Sequence, residues 1–384
     1  MNKIVSAIIV FIVILLSFYF SQGKFNDKEI RLGMSGPFSG NKSNLGDDML
    51  TGAMAYFNDI NDKGGIYGRP IKIIAKDDRY EPNLAIENAK NLIKKDKIFA
   101  FFGIIGTPTS RAILPIAIDN NIPLLGTFSG ADFLREPPNP LILNARAGYE
   151  AETENLVKFF VDQKKLTRIA VFYQNDSYGR SGLRGIRKAL DKRNLKIIGE
   201  GSYKRNTLSV GNALYEISLT RPEAIILVGT TMPVAEFIKR ARKNDKIIKN
   251  IDFGVLSFIS PKLLVETLNK NVKNVFFSQV VPTPWTSKEK EVEKYRELMS
   301  KYFPEKQLGY VSLEGYFAAE MTAEVFKAVG KNFRKSDFIR EMEKLSKDIK
   351  NNTCSSTVSV KCPCLRLVLI SQYIDGKFKL IHEK

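Results

Sequence analysis

The chain has 384 residues, of which 44% are hydrophobic and 26% are charged, and its formal net charge is +18. This composition excludes a disordered or fibrous chain, and the length favours two domains with a large buried core. The basic residues are spread along the whole chain rather than clustered on one element with interleaved aromatics, which argues against a nucleic-acid-binding protein.

The N-terminus has the pattern of a signal sequence. A single early charge, Lys3, precedes an apolar run over residues 4–20, and the small residues Ser21 and Gly23 suit a cleavage site after Gly23. An uncleaved membrane anchor is the alternative, because an apolar run of about 17 residues can just span a bilayer. In both cases the rest of the chain leaves the cytoplasm. We therefore expect a periplasmic or extracellular protein, secreted or tethered to a membrane.

Strand-like runs alternate with helical patterns from residue 28 onward. The first group of strands is "EIRLGMS", "IKIIAKD", "IFAFFGI" and "IPLLGTF", and the patterns among them predict helices over residues 46–61, 82–95 and 109–120. The second group is "RIAVFYQ", "LKIIGEGSY", "EAIILVG" and "IDFGVLS", with helices over residues 178–192, 208–219 and 232–243. Such alternation indicates parallel sheets with helices on both faces. The sequence therefore predicts an α/β protein with two doubly wound lobes.

Two segments are candidate domain boundaries, namely the Pro-rich "REPPNPLILNARAGYE" and "VFFSQVVPTPWTSKE". Three helical patterns follow the second one, over residues 288–302, 312–329 and 335–346. Near the C-terminus, "LRLVLISQYIDGKFKLI" predicts two strands around an Asp-Gly turn. A chain that builds one sheet, then a second, and then adds helices can cross between its domains more than once.

The three cysteines, Cys354, Cys362 and Cys364, share one C-terminal stretch. In an oxidising compartment this pattern predicts one disulfide that closes a loop and one odd thiol, with the pairing left open. The only histidine, His382, has no partner at metal-ligand spacing. We expect neither a metal site nor a cofactor.

Corners rich in Gly, Ser and Thr follow several predicted strands: "GMSGPFSG", "GIIGTPTS", "LGTFSGAD", "YQNDSYGRSG" and, less strongly, "VGTTMP". Ligands of open parallel sheets bind outside the carboxyl ends of the strands, and free amides at helix N-termini favour an anionic group such as a carboxylate. One isolated corner of this kind is more often an ordinary helix cap. Several aligned corners favour a binding cleft.

Enzyme signatures are absent from the sequence. A single histidine near the C-terminus leaves triad and His-dependent acid–base catalysis without their central residue. No Gly-x-Ser-x-Gly elbow, phosphate-loop spacing or dinucleotide-binding fingerprint follows a strand. The paired carboxylates Asp77 and Asp78 are expected to point to opposite faces at a strand end. We therefore expect a protein that is not an enzyme.

Six segments carry a resemblance to a known family: "IRLGMSGPFSG", "AMAYFNDINDKGGIYGRPIKIIAKDD", "GTPTSRAILPIA", "IPLLGTFSGADFLREP", "RIAVFYQNDSYGRSGLRGIRKAL" and "YVSLEGYFAAE". They resemble the extracytoplasmic solute-binding proteins of ABC importers, and within these the branched-chain amino-acid-binding type with the type I periplasmic-binding fold. The resemblance extends from residue 29 to about residue 346. It implies two doubly wound parallel-sheet lobes joined by three crossovers, with a ligand enclosed between them by hinge motion.

The resemblance also implies an organisation and a set of partners. After residues 1–23, lobe one would comprise residues 28–145 and 276–347, and lobe two residues 146–275 and 348–384. The protein would capture a small polar solute and deliver it to the permease subunits of an ABC importer. The alternative is a sensor domain that is tethered by an uncleaved N-terminal helix and reports the same ligand. Neither hypothesis includes nucleic acid, and the membrane is contacted only through an uncleaved N-terminal segment.

Site residues on the first lobe follow from the two corners that match the family. The corner "GIIGTPTS" would hold a carboxylate through backbone amides near Gly106 and the hydroxyl of Thr107. The corner "GTFSGAD" would place Ser129 and Gly130 at the ligand.

The second lobe and the cleft mouth would contribute further residues. Tyr178 of "SYGRSG" matches a tyrosine that covers the ligand. Trp285, the only tryptophan, aligns with an aromatic residue near the cleft mouth, and packing beside the hinge is its alternative role.

Two departures from the family bear on the ligand. The chain has Leu256 or Ser257 where amino-acid binders carry a glutamate for the α-ammonium group, and Thr230 and Thr231 where they carry an aromatic residue. A buried ammonium without a carboxylate partner is costly. We therefore expect a carboxylate- or amide-bearing solute, an amino acid or a related compound, with Thr230 and Ser257 completing the site.

Overall fold

The computed structural model describes residue 25 and residues 27–244, 250–351 and 367–383. The N-terminal signal or anchor segment and all three cysteines lie outside these residues, so the predictions of cleavage and of a disulfide stay predictions. Among the helices in these ranges, none combines the length and the apolarity that crossing a bilayer requires.

Five parallel strands form the first sheet. They are β1 (Ile30–Gly36), β2 (Ile71–Asp77), β3 (Ala100–Phe102), β4 (Leu124–Leu125) and β5 (Ile142–Leu143), in the spatial order β2-β1-β3-β4-β5. The helices that connect them are α1 (Ser43–Asp62), α2 (Pro82–Lys94) and α3 (Thr107–Asp119). Strands β3, β4 and β5 are fully buried and wholly apolar, as expected for strands covered on both faces.

The second sheet has seven strands. They are β6 (Ile169–Gln174), β7 (Gly199–Tyr203), β8 (Ala224–Val228), β9 (Asp252–Val255), β10 (Val275–Gln279), β11 (Leu369–Ile374) and β12 (Lys377–Glu383). Their order is β12-β11-β10-β9-β8-β6-β7, in which β6 to β10 are parallel and the hairpin β11–β12 adds antiparallel strands at one edge. The helices of this half are α4 (Tyr149–Val157), which continues as a π-helix over Lys158–Gln163, then α5 (Ser177–Asp191), α6 (Gly211–Leu219), α7 (Thr231–Asn244) and α8 (Pro261–Leu268).

The structure confirms the predicted α/β class with two doubly wound sheets. It also confirms the C-terminal hairpin, which turns at Asp375 and Gly376. One expected boundary needs correction. All of β10 pairs within the second sheet, so residues 276–279 belong with that sheet and the chain leaves it after Gln279. An apolar run beside a Pro-rich segment does not reveal from its sequence which sheet will pair with it.

The chain crosses between the two halves three times. It passes from β5 in the first sheet to α4, which packs against α5 in the second half. It returns after β10 to α9 (Lys290–Tyr302), α10 (Tyr310–Val329) and α11 (Lys335–Asn351), which pack against α1, β5 and one another. The third crossing, from α11 to β11, runs through residues 352–366, outside the described ranges.

Helices α1 and α10 pack unusually closely. A Cβ atom on Gly52 would lie 1.7 Å from the carbonyl oxygen of Ser312, and one on Gly315 would lie 2.2 Å from that of Met49. Only glycine at both contact points allows the two backbones to approach this far. This contact fixes the C-terminal helices onto the first half and positions the start of α10 beside the cleft.

Candidate functional site

Three hydroxyl groups meet at the carboxyl edge of the first sheet. Thr107 begins α3 directly after β3, and its Oγ1 lies 2.8 Å from Oγ of Ser129, which follows β4. The Oη of Tyr149, at the start of α4, lies 3.4 Å from the same Thr107 oxygen. All three side chains are fully buried. Burial raises the pKa of Tyr149, so its phenol is neutral at pH 7 and can donate a hydrogen bond.

Gly106 shapes the corner that presents Thr107. Its φ is +101°, and a Cβ atom there would lie 2.2 Å from Cε2 of Tyr80. Its amide donates to the carbonyl of Phe128 at 3.1 Å, which links this corner to the one after β4. In the second corner, the Gly130 carbonyl accepts the Tyr149 amide at 2.7 Å. Both predicted glycines therefore hold the hydroxyl groups together through backbone contacts.

Five fully buried aromatic rings pack beside these hydroxyl groups. Phe258, which follows β9 in the second half, lies 5.0 Å from Tyr178, 5.2 Å from Phe128 and 6.0 Å from Tyr80 between ring centroids. Tyr178 in turn lies 5.2 Å from Tyr149. Tyr80 and Phe128 come from the first half of the molecule. The predicted residue Tyr178 thus belongs to a ring cluster that bridges the two halves.

Ser257 lies in a buried ionic cluster. Its amide and hydroxyl both donate to the Glu152 carboxylate at 2.9 Å, and Arg146 donates to its hydroxyl oxygen. Arg146 also pairs with Glu152 at 3.0 Å and with Glu314 at 3.3 Å. Burial raises the pKa of Glu314 to about 7; Glu152 adds to this increase, and Arg146 opposes it. Residue 257 lacks a carboxylate, as expected, but the tertiary structure supplies one from α4.

The ionic cluster joins the first crossover, the second half and the C-terminal helices. Arg146 lies in the first crossover, Glu152 on α4 and Glu314 on α10. The Arg146 guanidinium also lies 4.9 Å from the Phe128 ring centroid and 5.8 Å from that of Tyr149. A buried guanidinium that is paired with two carboxylates therefore lies beside two rings of the cluster.

Thr230 lies at the outer end of the site. Its amide donates to Tyr203 Oη at 3.0 Å. It also lines a cavity of about 320 Å³ between the two halves, whose walls are residues 39–42, Arg79, residues 206–208, Thr230, Met232 and Pro233. In this wall Lys42 Nζ donates to Asn206 Oδ1 at 2.6 Å. Burial lowers the pKa of Lys42 to about 8, and Arg79 is a second basic residue in the cavity wall.

Ion pairs hold the two halves together around the cleft. Arg205 of the second half pairs with Glu81 of the first at 2.9 Å, and Asn206 donates to the same carboxylate at 2.5 Å. On another edge, Arg184 pairs with Asp132 at 2.7 Å. These contacts, together with the buried rings, describe a closed arrangement of the two halves.

The structure separates Trp285 from the other predicted residues. Its ring stacks on Phe378 of the C-terminal hairpin at 5.4 Å and meets Tyr310 edge-on at 5.4 Å. These contacts correspond to the alternative role, packing beside a crossover. Gly106, Thr107, Ser129, Gly130 and Tyr178 come together around one point; Ser257 adjoins them through Arg146, and Thr230 lines the neighbouring cavity.

Sequence reasoning missed Arg146, Tyr149 and Glu152 at the first crossover, Phe258 in the loop after β9, and Glu314 on α10. One signal was available for the last of these. The segment that forms α10, YVSLEGYFAAEMTAEVFKAV, is predominantly apolar and yet carries Glu314, Glu320 and Glu324. A buried carboxylate needs a partner, so such a helix predicts an ionic contact without naming the partner.

Comparisons with known proteins agree with this architecture. The sequence model of the periplasmic binding protein family matches residues 29–356. The Leu/Ile/Val-binding protein of Escherichia coli (strain K12) is 27% identical over 171 residues, 44% of this chain and 46% of that protein. Leu/Ile/Val-binding protein homolog 7 of Brucella suis is 23% identical over 225 residues, 56% of each chain. The matched segments thus span about half the length of these curated relatives.

A solved structure covers nearly the whole chain. The possible leucine/isoleucine/valine-binding protein of Rhodopirellula baltica SH 1 is 28% identical, with a TM-score of 0.83 over 93% of this chain and 97% of that one. The family match, the two doubly wound sheets and the three crossings all agree. The chain belongs to the periplasmic binding protein family, as a type I member of its branched-chain amino-acid-binding group.

Proposed function

We propose that this chain is the extracytoplasmic solute-binding component of an ABC importer and that it captures a small carboxylate- or amide-bearing solute between its two halves. The observation that carries the proposal is the buried hydroxyl cluster, in which Thr107 and Ser129 of the first half meet Tyr149 at the start of α4 and lie beside the rings of Tyr178 and Phe258. Proteins of this family are solute-binding proteins rather than enzymes, which supports a function without covalent chemistry.

The proposed mechanism is capture by closure. In an open form, Thr107 and Ser129 on the first half would donate hydrogen bonds to the anionic group of the solute. Closure would then bring Tyr178 and Thr230 over it and form the Arg205–Glu81 ion pair at the rim. The permease subunits would recognise the closed form. The protein would be located in the periplasm or outside the cell.

A ligand screen with a matched pair of variants tests this proposal. Calorimetry and thermal-shift measurements with carboxylates, amides and amino acids should identify a solute that stabilises the purified protein. Thr107→Val should weaken its binding by about 1–3 kcal/mol, because a hydrogen bond to a charged group is lost. Thr322→Val, which changes an equally buried threonine in the middle of α10, should leave affinity unchanged. Equal affinity of the Thr107 variant and the wild type would remove Thr107 from the site.

A second measurement separates the importer component from a membrane-tethered sensor. Cell fractionation followed by N-terminal sequencing should recover a soluble protein that begins at Lys24. Recovery of the uncleaved chain in the membrane fraction would favour the sensor instead.

A further inference from the structure

The ring cluster points to the chemical class of the solute. We infer that it is a planar aromatic carboxylate without an α-amino group. This inference rests on the proposed function and narrows it, since it concerns the same cleft. The rings involved are Tyr80, Phe128, Tyr149, Tyr178 and Phe258, and each is at most 1% exposed.

Two ring contacts in this cluster join opposite halves of the molecule. Phe258 meets Tyr80 at an interplanar angle of 32° and Phe128 at 35°. Separation of the halves breaks both contacts and leaves Tyr80 and Phe128 on one side facing Phe258 and Tyr178 on the other. A flat ring inserted there would restore tilted or edge-to-face contacts on both sides. A branched aliphatic group would cover similar area but would lack the electrostatic part of these contacts.

The polar groups nearby suit a carboxylate attached to that ring. The hydroxyl groups of Thr107 and Ser129 lie next to the ring cluster, since Thr107 Oγ1 is 3.4 Å from Tyr149 Oη. The Arg146 guanidinium lies behind the Phe128 and Tyr149 rings, at 4.9 and 5.8 Å from their centroids, but it already pairs with Glu152 and Glu314. Hydroxyl donors beside an aromatic wall match an aromatic acid, whose charge and ring are only a few ångströms apart.

Three of the carboxylates near the rings already accept at least two hydrogen bonds each, and a fourth, Glu314, forms an ion pair with Arg146. Asp78 accepts hydrogen bonds from Ser35 Oγ at 2.8 Å and from the amide of residue 80. Glu152 accepts two from Ser257, and Asp176 accepts the amides at the start of α5. An α-ammonium group near Asp78, Glu152 or Asp176 would have to compete with these donors, which disfavours an ordinary amino acid.

Calorimetric titration of the purified protein with matched pairs of acids tests the inference. The pairs are benzoate with cyclohexanecarboxylate, and phenylacetate with L-phenylalanine; isovalerate and L-leucine complete the set. We expect an aromatic acid to bind at least tenfold more tightly than its saturated or amino-bearing counterpart. Stronger or equal binding of cyclohexanecarboxylate, isovalerate or either amino acid would overturn the aromatic class and leave the proposed function standing. Failure of every acid, amide and amino acid to bind would overturn both.

A pair of phenylalanine variants makes the test specific. Phe258→Leu keeps an apolar side chain but removes the ring, and should lower the ratio of benzoate to cyclohexanecarboxylate affinity by roughly two- to tenfold. Phe253→Leu changes an equally buried ring on β9, whose ring contact is with Phe237, and should leave the ratio unchanged. Because the ratio is measured on the folded protein, a loss of stability common to both variants does not affect it. An unchanged ratio in the Phe258 variant would refute the role of this ring.

Discussion

Replacing Glu314 by glutamine tests the ionic cluster that joins the two halves. The side chain of Glu314 is 5% exposed, and its carboxylate lies 3.3 Å from Arg146, which also pairs with Glu152. The carboxylates of Glu152 and Glu314 therefore share one guanidinium group in the protein interior. Glutamine keeps the shape of the side chain but cannot ionise.

The expected magnitude follows from the raised pKa of Glu314. Burial raises this pKa from the usual 4.5 to about 7. Between these two values the folded chain holds a proton that the unfolded chain has released, so this group favours folding at low pH and the benefit is lost as the pH rises through 7. A difference of about 2.5 between two pKa values corresponds to about 3 kcal/mol. Relative to the wild type, the free energy of unfolding of Glu314→Gln should thus increase by about 2–3 kcal/mol between pH 5 and pH 8.

Urea denaturation followed by far-UV circular dichroism at pH 5, 6, 7 and 8 measures this difference. Glu297→Gln is the control, because it removes a carboxylate that is 64% exposed on α9. The difference between the control and the wild type should stay constant within about 0.5 kcal/mol. A constant difference for the Glu314 variant as well would show that its carboxyl group does not titrate in the folded protein above pH 5, and would refute the reasoning.

Two further variants test the packing and the rim of the cleft. Gly52→Ala should lower the free energy of unfolding by about 3 kcal/mol, because the new methyl group meets a backbone carbonyl of α10. Gly211→Ala is the control, because a Cβ atom there has its nearest neighbour at 3.6 Å. Its free energy of unfolding, measured by urea denaturation, should stay close to that of the wild type. Arg205→Gln should weaken solute binding about two- to fivefold at low salt, and less at high salt, because it breaks the ion pair with Glu81 across the cleft. Arg187→Gln breaks an ion pair within the second half and should leave the affinity measured by calorimetry unchanged. An equal loss of affinity in both arginine variants would contradict a role of the Arg205–Glu81 pair in solute binding.

Most of the elements were predictable because their signals are local. The period of the apolar residues predicted the strands and helices of both sheets, and an Asp-Gly pair between two apolar runs predicted the C-terminal hairpin. The helix at residues 149–157 was missed because it follows a Pro-rich segment that looks like a linker. The partner of β10 was missed because sheet pairing depends on contacts that are distant in the chain.

The residues of the candidate site also divide into those that local sequence signals predict and those that depend on distant contacts. Thr107 and Ser129 were predictable because each follows a strand of a parallel sheet, and neighbouring parallel strands bring their carboxyl ends together. Trp285 aligns with an aromatic residue near the cleft mouth of the family, but its contacts with Phe378 and Tyr310 could not be predicted, because they depend on how the C-terminal hairpin and α10 pack.

The sequence by itself therefore determined the α/β class, the two sheets and the hydroxyl corners, because periodicity and turn residues act within a few positions of the chain. Only the tertiary structure decided which charges and rings surround those corners. The crossovers bring Arg146 and Glu152 beside Glu314, and Phe258 against Tyr80, across sequence separations of more than 150 residues in two of these contacts. Because these charged groups are buried, each must have a partner of opposite charge, since an unpaired charge in the protein interior would destabilise the fold strongly.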